Sequence, residues 1–345
     1  MSALSISREG NPARRTKAGP SSRPVLRRVI ACIDTSELSP KIIPHAIAIA
    51  RAMQAKLTLV RVLEARRAGN LPPDPVEWDM QRREARDLLT RLAEERRDGA
   101  ADIKMEVVEG EPAEQICLWA RDHGADLTVL CTHGEGGPTE GELGGTARRV
   151  IDRAPGSVLL IPSALAEVSA VRYQRILMPL DGSPRAESVL PLAMRLAKSQ
   201  DAELILTHVV PVPELTEIGP LTAEDIDLRE QLVRRNERVA LEYLDRIRAR
   251  VTEGGVRARS IVLRNGDARS RLVTAAIDET VDLVILSAQG RSGRSDIPVG
   301  SVTAHLATHA AVPLLIVRRQ ATQPARRVRL VTSDSGVRLP NHATP

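Results

Sequence analysis

RVIACID at residues 28–34 and RILMPLD at residues 175–181 are two versions of one opening, 147 positions apart. DLTVLCTHG at 126–134 returns as DLVILSAQG at 282–290, 156 positions on. Each copy then enters a glycine pattern of one spacing, Gly134, Gly137 and Gly144 in the first and Gly290, Gly293 and Gly300 in the second. An offset that holds from a strand-like opening to a glycine loop marks a duplicated domain. The change of offset places an insertion between Val209 and Gly266, and the loop around 211–229 is the expected home, because surface loops tolerate insertions best.

At 345 residues the chain is long enough for two domains, each with its own core. There is no Phe, and only two Trp and two Tyr, so the cores must be aliphatic. The aromatic-interleaved basic surface that stacks single-stranded nucleic acid is excluded. Three cysteines, Cys32, Cys117 and Cys131, show neither CxxC spacing nor even pairing, which points to a reducing cytoplasm. No apolar run is long enough to span a bilayer, and no apolar stretch follows the basic N-terminus as a secretory signal would require. The net charge of +5 is unevenly placed. Residues 1–24 carry +4 and residues 318–345 carry +5, which leaves about −4 for the body. These Pro-, Ser- and Gly-rich tails read as disordered and solubilising, without specific nucleic-acid or membrane contact.

Within the first copy, strands are expected at Val29–Ile33, Lys56–Val62, Ile103–Val108, Leu127–Cys131 and Val158–Ile161, with helices between them. The second copy repeats this, with strands near 175–180, 203–209, 257–263, 282–287 and 313–317 and helices near 185–199, 226–252, 268–279 and 301–309. Alternating strands and helices define an α/β fold: two doubly wound five-stranded parallel sheets, each of strand order 3-2-1-4-5. The topological switch point then lies between strands one and four. A ligand belongs outside their carboxyl ends, at Asp34 with the 132–146 loop and Asp181 with the 288–302 loop.

Glycines let a loop turn backbone N–H groups toward one concavity, and Gly300-Ser301 stands where a helix begins, a natural anion site. An N-cap role explains Ser301 as well. The chain has neither a Walker A loop nor a GxGxxG fingerprint. Asp181 and Asp34 also read as helix openers, with Ser183 as a cap in DGSP. His305 and His309, four apart, have metal-compatible spacing but no third ligand nearby, and no metal site is expected. Cys32 and Cys131 end neighbouring strands and read as packing residues.

The segments ILMPLDGS (176–183), DLVILSAQGRSG (282–293) and GSVTAHLATHAAVPLLIV (300–317), with VIACIDTS, GEPAEQI and GGTARRVIDRAPGSVLLIP in the first copy, resemble the universal stress protein family in its tandem two-domain form. The resemblance implies an adenine nucleotide α-hydrolase-like (Rossmann-like) fold. It divides the chain into a basic tail (1–24), domain 1 (25–163), a linker (164–172), domain 2 (173–319) and a second tail (320–345). In the ATP-binding branch of that family a Gly-x2-Gly-x9-Gly-Ser/Thr loop holds the phosphates. Carried over, the resemblance implies contacts at Pro179, Asp181, Val209, Gly290, Arg291, Gly293, Gly300, Ser301 and Val302. The counterparts are Cys32, Asp34, Val62, Gly134, Gly137, Gly144, Gly145 and Thr146. Only six residues separate the second and third glycines here, a departure from nine. ATP is the implied cofactor, with Mg as an optional companion and nothing covalently bound.

The copies differ. Gly145 replaces Ser301, and the first loop carries Glu135, Glu140 and Glu142, whereas the second offers Arg291 and Arg294 against Asp296. Domain 2 is therefore the expected stronger site. The resulting expectation is a cytoplasmic nucleotide-binding stress or regulatory protein, not an enzyme, since neither loop carries a cradle lysine or paired metal carboxylates. Alternatives are a slow ATP hydrolase with Asp181 as base, or an adaptor in which both loops are structural. In that family the last strand commonly pairs two domains, so the resemblance implies edge pairing of Val158–Ile161 with Leu314–Val317 as an intramolecular pseudo-dimer, with a homodimer as the further assembly.

Overall fold

The apolar runs become strands because both faces of a parallel sheet are covered, which rewards residues apolar on both sides. In the computed structural model, residues 26–64, 74–96, 103–134, 137, 142–213, 222–264, 266–291 and 298–318 are described. The tails before 26 and after 318, Gly293, Arg294, Asp296, Glu135 and Glu140 lie outside them. The first half comprises β1 (Arg28–Ile33), α1 (Ser39–Met53), β2 (Lys56–Leu63), α2 (Pro75–Glu95), β3 (Ile103–Glu109), α3 (Pro112–Asp122), β4 (Leu127–Cys131), α4 (Gly145–Arg153) and β5 (Ser157–Ile161). The second half comprises β6 (Arg175–Pro179), α5 (Pro184–Glu187), α6 (Leu190–Gln200), β7 (Glu203–Val210), α7 (Ala223–Glu253), β8 (Ala258–Arg264), α8 (Ala268–Asp278), β9 (Leu283–Ser287), α9 (Ser301–His309) and β10 (Leu314–Val317).

Each half has the expected order 3-2-1-4-5, and the two five-stranded sheets meet through the expected edge pairing of their last strands. They join into one ten-stranded sheet, β3-β2-β1-β4-β5-β10-β9-β6-β7-β8. The seam is antiparallel, with Leu314 opposite Leu160, Leu315 opposite Leu159 and Ile316 opposite Val158. Left open, β5 and β10 would each present unpaired N–H and C=O groups along an apolar strand, so pairing them satisfies both edges. Alternation along the strands feeds two aliphatic cores. Val29, Ala31 and Ile33 face α1, α2, α6 and α7, and this core runs across the seam to Leu192, Leu196 and Leu244. Ile30 faces the opposite core with Ile116, Val150, Leu286 and Leu306, built from α3, α4, α8 and α9.

The repeated Asp-Leu at the start of the fourth strand has a structural cause. Asp126 accepts from the backbone N–H of Arg27 and Arg28, and Asp282, 156 positions on, accepts from those of Gln174 and Arg175. Each carboxylate thereby pins the start of its first strand.

Three expectations are corrected. The insertion lies in helix α7, 31 residues against the 21 of α2, whereas the preceding connection (211–222) is only one residue longer than its counterpart (64–74). A capping box between Thr222 and Asp225 starts α7 early, so the surplus is spent on helical turns. The single helix expected at 185–199 is two, α5 and α6. Pro191 has no N–H to donate and its ring clashes with a carbonyl four residues back, so the helix restarts with Pro191 in its first turn. Arg318 is not tail charge. Its guanidinium donates to the carbonyls of Ile151 and Ala154 at the C-terminal end of α4, and its N–H donates to Ser157 Oγ at 3.2 Å. Domain 2 thus caps a helix of domain 1, where a cation also meets the negative end of the helix dipole. Burial holds the Arg318 guanidinium below its ordinary pKa.

Candidate functional site

Asp181 follows β6 and uses its two oxygens differently. Oδ1 accepts from the N–H of Ser183 at 3.0 Å and its Oγ at 2.6 Å, and Ser183 Oγ accepts from Ala186 N at 3.2 Å as the cap of α5. Oδ2 accepts from the backbone N–H of Arg291 in the glycine loop. In the first half Asp34 Oδ1 accepts from Ser36 N at 3.0 Å and from the hydroxyls of Ser36 and Ser39 at 2.5 and 2.6 Å. The opening role and the loop contact are therefore made by one side chain. The carboxylate comes so close that a Cβ on Gly290 would stand 2.4 Å from Asp181 Oδ2, and one on Gly134 2.5 Å from Asp34 Oδ2. Any side chain at either position would have to displace the carboxylate from the loop.

The far end of each loop closes on itself. Gly300 N donates to Ala288 O at 2.8 Å and Gly144 N to Thr132 O at 2.9 Å, so these amides are engaged. Beyond this neck the helices begin. Gly300 and Gly144 occupy the N-cap positions, neither helix has a side-chain cap, and the first helical bonds come from Ala304 and Arg148. Ser301 is thus the first helical residue, not the cap. The N–H groups of Ser301, Val302 and Thr303, and of Gly145, Thr146 and Ala147, have no intrahelical partner. Each opens at the positive end of its helix dipole, beside Asp181 or Asp34.

In the first half these parts wall a cavity of about 870 Å³. Asp34, Val62, Gly134, Gly137, Gly144, Gly145 and Thr146 all line it, as does Cys32. Pro179, Val209, Gly290 and Val302 are half-buried at the equivalent ends of β6, β7 and the second loop, while Ser301 and Arg291 are exposed. Sequence reasoning missed the wall formed by α2, with Trp78, Glu77 and Glu84, and Arg61 from β2. That helix reads as a surface helix, and no local signal shows that its first turns overhang the crevice. It also missed His133, whose Nε2 lies 2.7 Å from Glu142 O across the first loop while Nδ1 faces Thr132 and Ser163 hydroxyls.

Burial pushes the Cys131 thiol up to about 12, with Asp34 adding to the effect, and burial likewise raises Cys32 and Cys117. All three are packing residues facing the cores. His305 and His309 stack at 4.0 Å, and among the described residues no group of three metal-binding side chains forms. No helix there is long and apolar enough to cross a membrane.

The fold defines a doubly wound α/β protein built twice, with a crevice at the switch point of its first half and the equivalent loop in its second. Residues 26–162 and 172–318 both match the family model of the universal stress protein family, so the chain belongs to that family and carries its domain in tandem. Universal stress protein Rv2005c of Mycobacterium tuberculosis is 28% identical over 276 residues, covering 76% of this chain and 87% of that one. Universal stress protein YxiE of Bacillus subtilis is 30% identical over 151 residues, covering 42% of this chain and 99% of that one. The crystal structure of a universal stress protein from Archaeoglobus fulgidus DSM 4304 superposes with a TM-score of 0.58 at 18% identity, covering 85% of this chain and 96% of that one, a likeness of fold.

Proposed function

We propose that the chain binds an adenine nucleotide, ATP, as a stress-response or regulatory protein, with domain 2 the stronger site. The supporting observation is the uncapped first turn of α9 beside Asp181, where Ser301, Val302 and Thr303 offer N–H groups to negative oxygens. Gly290, Gly293 and Gly300 would shape the loop around the phosphates, and Pro179 and Val209 would flank the base. ATP would supply the negative charge that the helix dipole meets. Binding without turnover is favoured because both Asp181 oxygens already accept hydrogen bonds, which engages the one carboxylate placed to act as a base.

The family pattern fits the rest: a cytoplasmic protein, a seam that pairs the domains within one chain, and domain bounds near 25–163 and 173–319. Denaturing purified protein and identifying the released small molecule by mass spectrometry tests the ligand. Ser301→Asp tests the site. A carboxylate in the first helical turn favours the helix but repels phosphate, so ATP affinity should fall about tenfold without loss of stability. Unchanged affinity, or a greater loss from Gly145→Asp in the first half, would refute the preference for domain 2.

A further inference from the structure

The first-half cavity is ill suited to a triphosphate. Five carboxylates line it, Asp34, Glu64, Asp74, Glu77 and Glu84, against one guanidinium, Arg61, a difference of four negative charges. In the second half the residues at the offset of 147 from Glu64 and Arg61 are Pro211 and His208, so that carboxylate has no counterpart there. Most of these groups are exposed, yet across a cavity of about 870 Å³ they act over roughly one Debye length, about 8 Å in physiological salt.

Two further features call for a ligand. Arg61 Nε is buried with no hydrogen-bond partner and lines the cavity, a donor in need of an acceptor. Trp78 also lines it, with Arg82, itself held by Glu109 at 2.6 Å, 6.0 Å over the indole. An aromatic wall suits a flat heterocycle, an unpartnered guanidinium N–H suits a ring nitrogen or carbonyl, and carboxylates accept hydrogen bonds from sugar hydroxyls.

We propose that the first-half cavity takes an uncharged purine nucleoside in preference to its phosphates. This rests on the view that the crevices bind adenine compounds, and it divides the two sites by ligand charge. Trp119→Phe leaves Trp78 as the chain's one tryptophan, a reporter of this cavity alone. Adenosine should shift its emission saturably, and ATP should need at least about tenfold higher concentration, a gap that salt narrows. Glu77→Gln with Glu84→Gln should narrow it from both sides, weakening adenosine and strengthening ATP.

ATP binding as tightly as adenosine at Trp78 would overturn the proposal. So would a Trp78 silent to adenosine while calorimetry still records the Ser301-dependent ATP site. No binding of any adenine compound at either half would overturn both functional proposals together. If the tryptophan variant does not fold, calorimetry of adenosine on the unmodified chain and on Trp78→Ala gives the same answer. Retention of binding in Trp78→Ala counts against the cavity.

Discussion

The contact between Asp181 and Gly290 can be read as a change of sign. A methyl at position 290 would stand 2.4 Å from Asp181 Oδ2, far inside contact distance. Gly290→Ala must therefore push the carboxylate aside, at an overpacking cost of about 1–3 kcal/mol. Alternatively it frees Asp181 from the Arg291 N–H, and a hydrogen bond to a charged group is worth about 1.5–3 kcal/mol. Either route makes the substitution destabilising by about 1–3 kcal/mol. With Asp181→Ala already in place the obstruction is gone. Gly290 does not have a positive φ, so alanine there is stereochemically free and should stabilise by about 0.4–1 kcal/mol through the unfolded chain. The double-mutant cycle should thus show a coupling of about 1.5–4 kcal/mol, measured as urea midpoints with the slope checked for constancy. Equal costs of Gly290→Ala in both backgrounds would refute the view that the carboxylate dictates this glycine.

Leu315→Ala, at a fully buried seam position opposite Leu159, should cost about 2–5 kcal/mol and speed proteolysis between residues 162 and 174 if the seam holds the halves together; unchanged cleavage would contradict this. Arg318→Ala should cost about 1–3 kcal/mol and raise amide exchange at the C-terminal end of α4, with no change in exchange as the contrary result. His45, buried with Nδ1 2.8 Å from Tyr173 Oη, is pushed from 6.5 down to about 4 by burial. A lowered folded pKa means the unfolded chain binds the extra proton. His45 then contributes stability above pH 6.5 that is lost as the pH falls toward 4, up to about 3 kcal/mol. Denaturation curves at pH 7 and 5 should converge in His45→Gln, and an unaltered pH slope would contradict the assignment.

The strands were legible because each carries a β-branched or leucine run bounded by turn residues; Lys56–Val62 was expected and Lys56–Leu63 is found. The glycine loops were legible because they recur, although the fate of their amides was not: Gly300 N, a candidate phosphate donor, bonds Ala288 O instead. Helix α2 shows why the wall of the cavity escaped notice. Its buried stripe, Ala85, Leu89 and Leu92, accounts for its packing, and nothing in that periodicity tells where its N-terminal turns project. The break between α5 and α6 was written in Pro191, yet its equivalent Pro44 sits inside an unbroken α1, so the residue type alone did not decide it.

From the chain alone came the doubling, the strand order within each half and the place of the first-half crevice, because periodicity, turn chemistry and the handedness of crossovers are local rules. The pairing of the last strands was an expectation; tertiary structure alone decided its antiparallel register, Leu315 opposite Leu159, that Arg318 caps the opposite domain, and that Asp181 reaches the Arg291 N–H, 110 residues away. Those contacts depend on how distant elements meet after the crossovers close, and no repeat or spacing within a single segment encodes that distance.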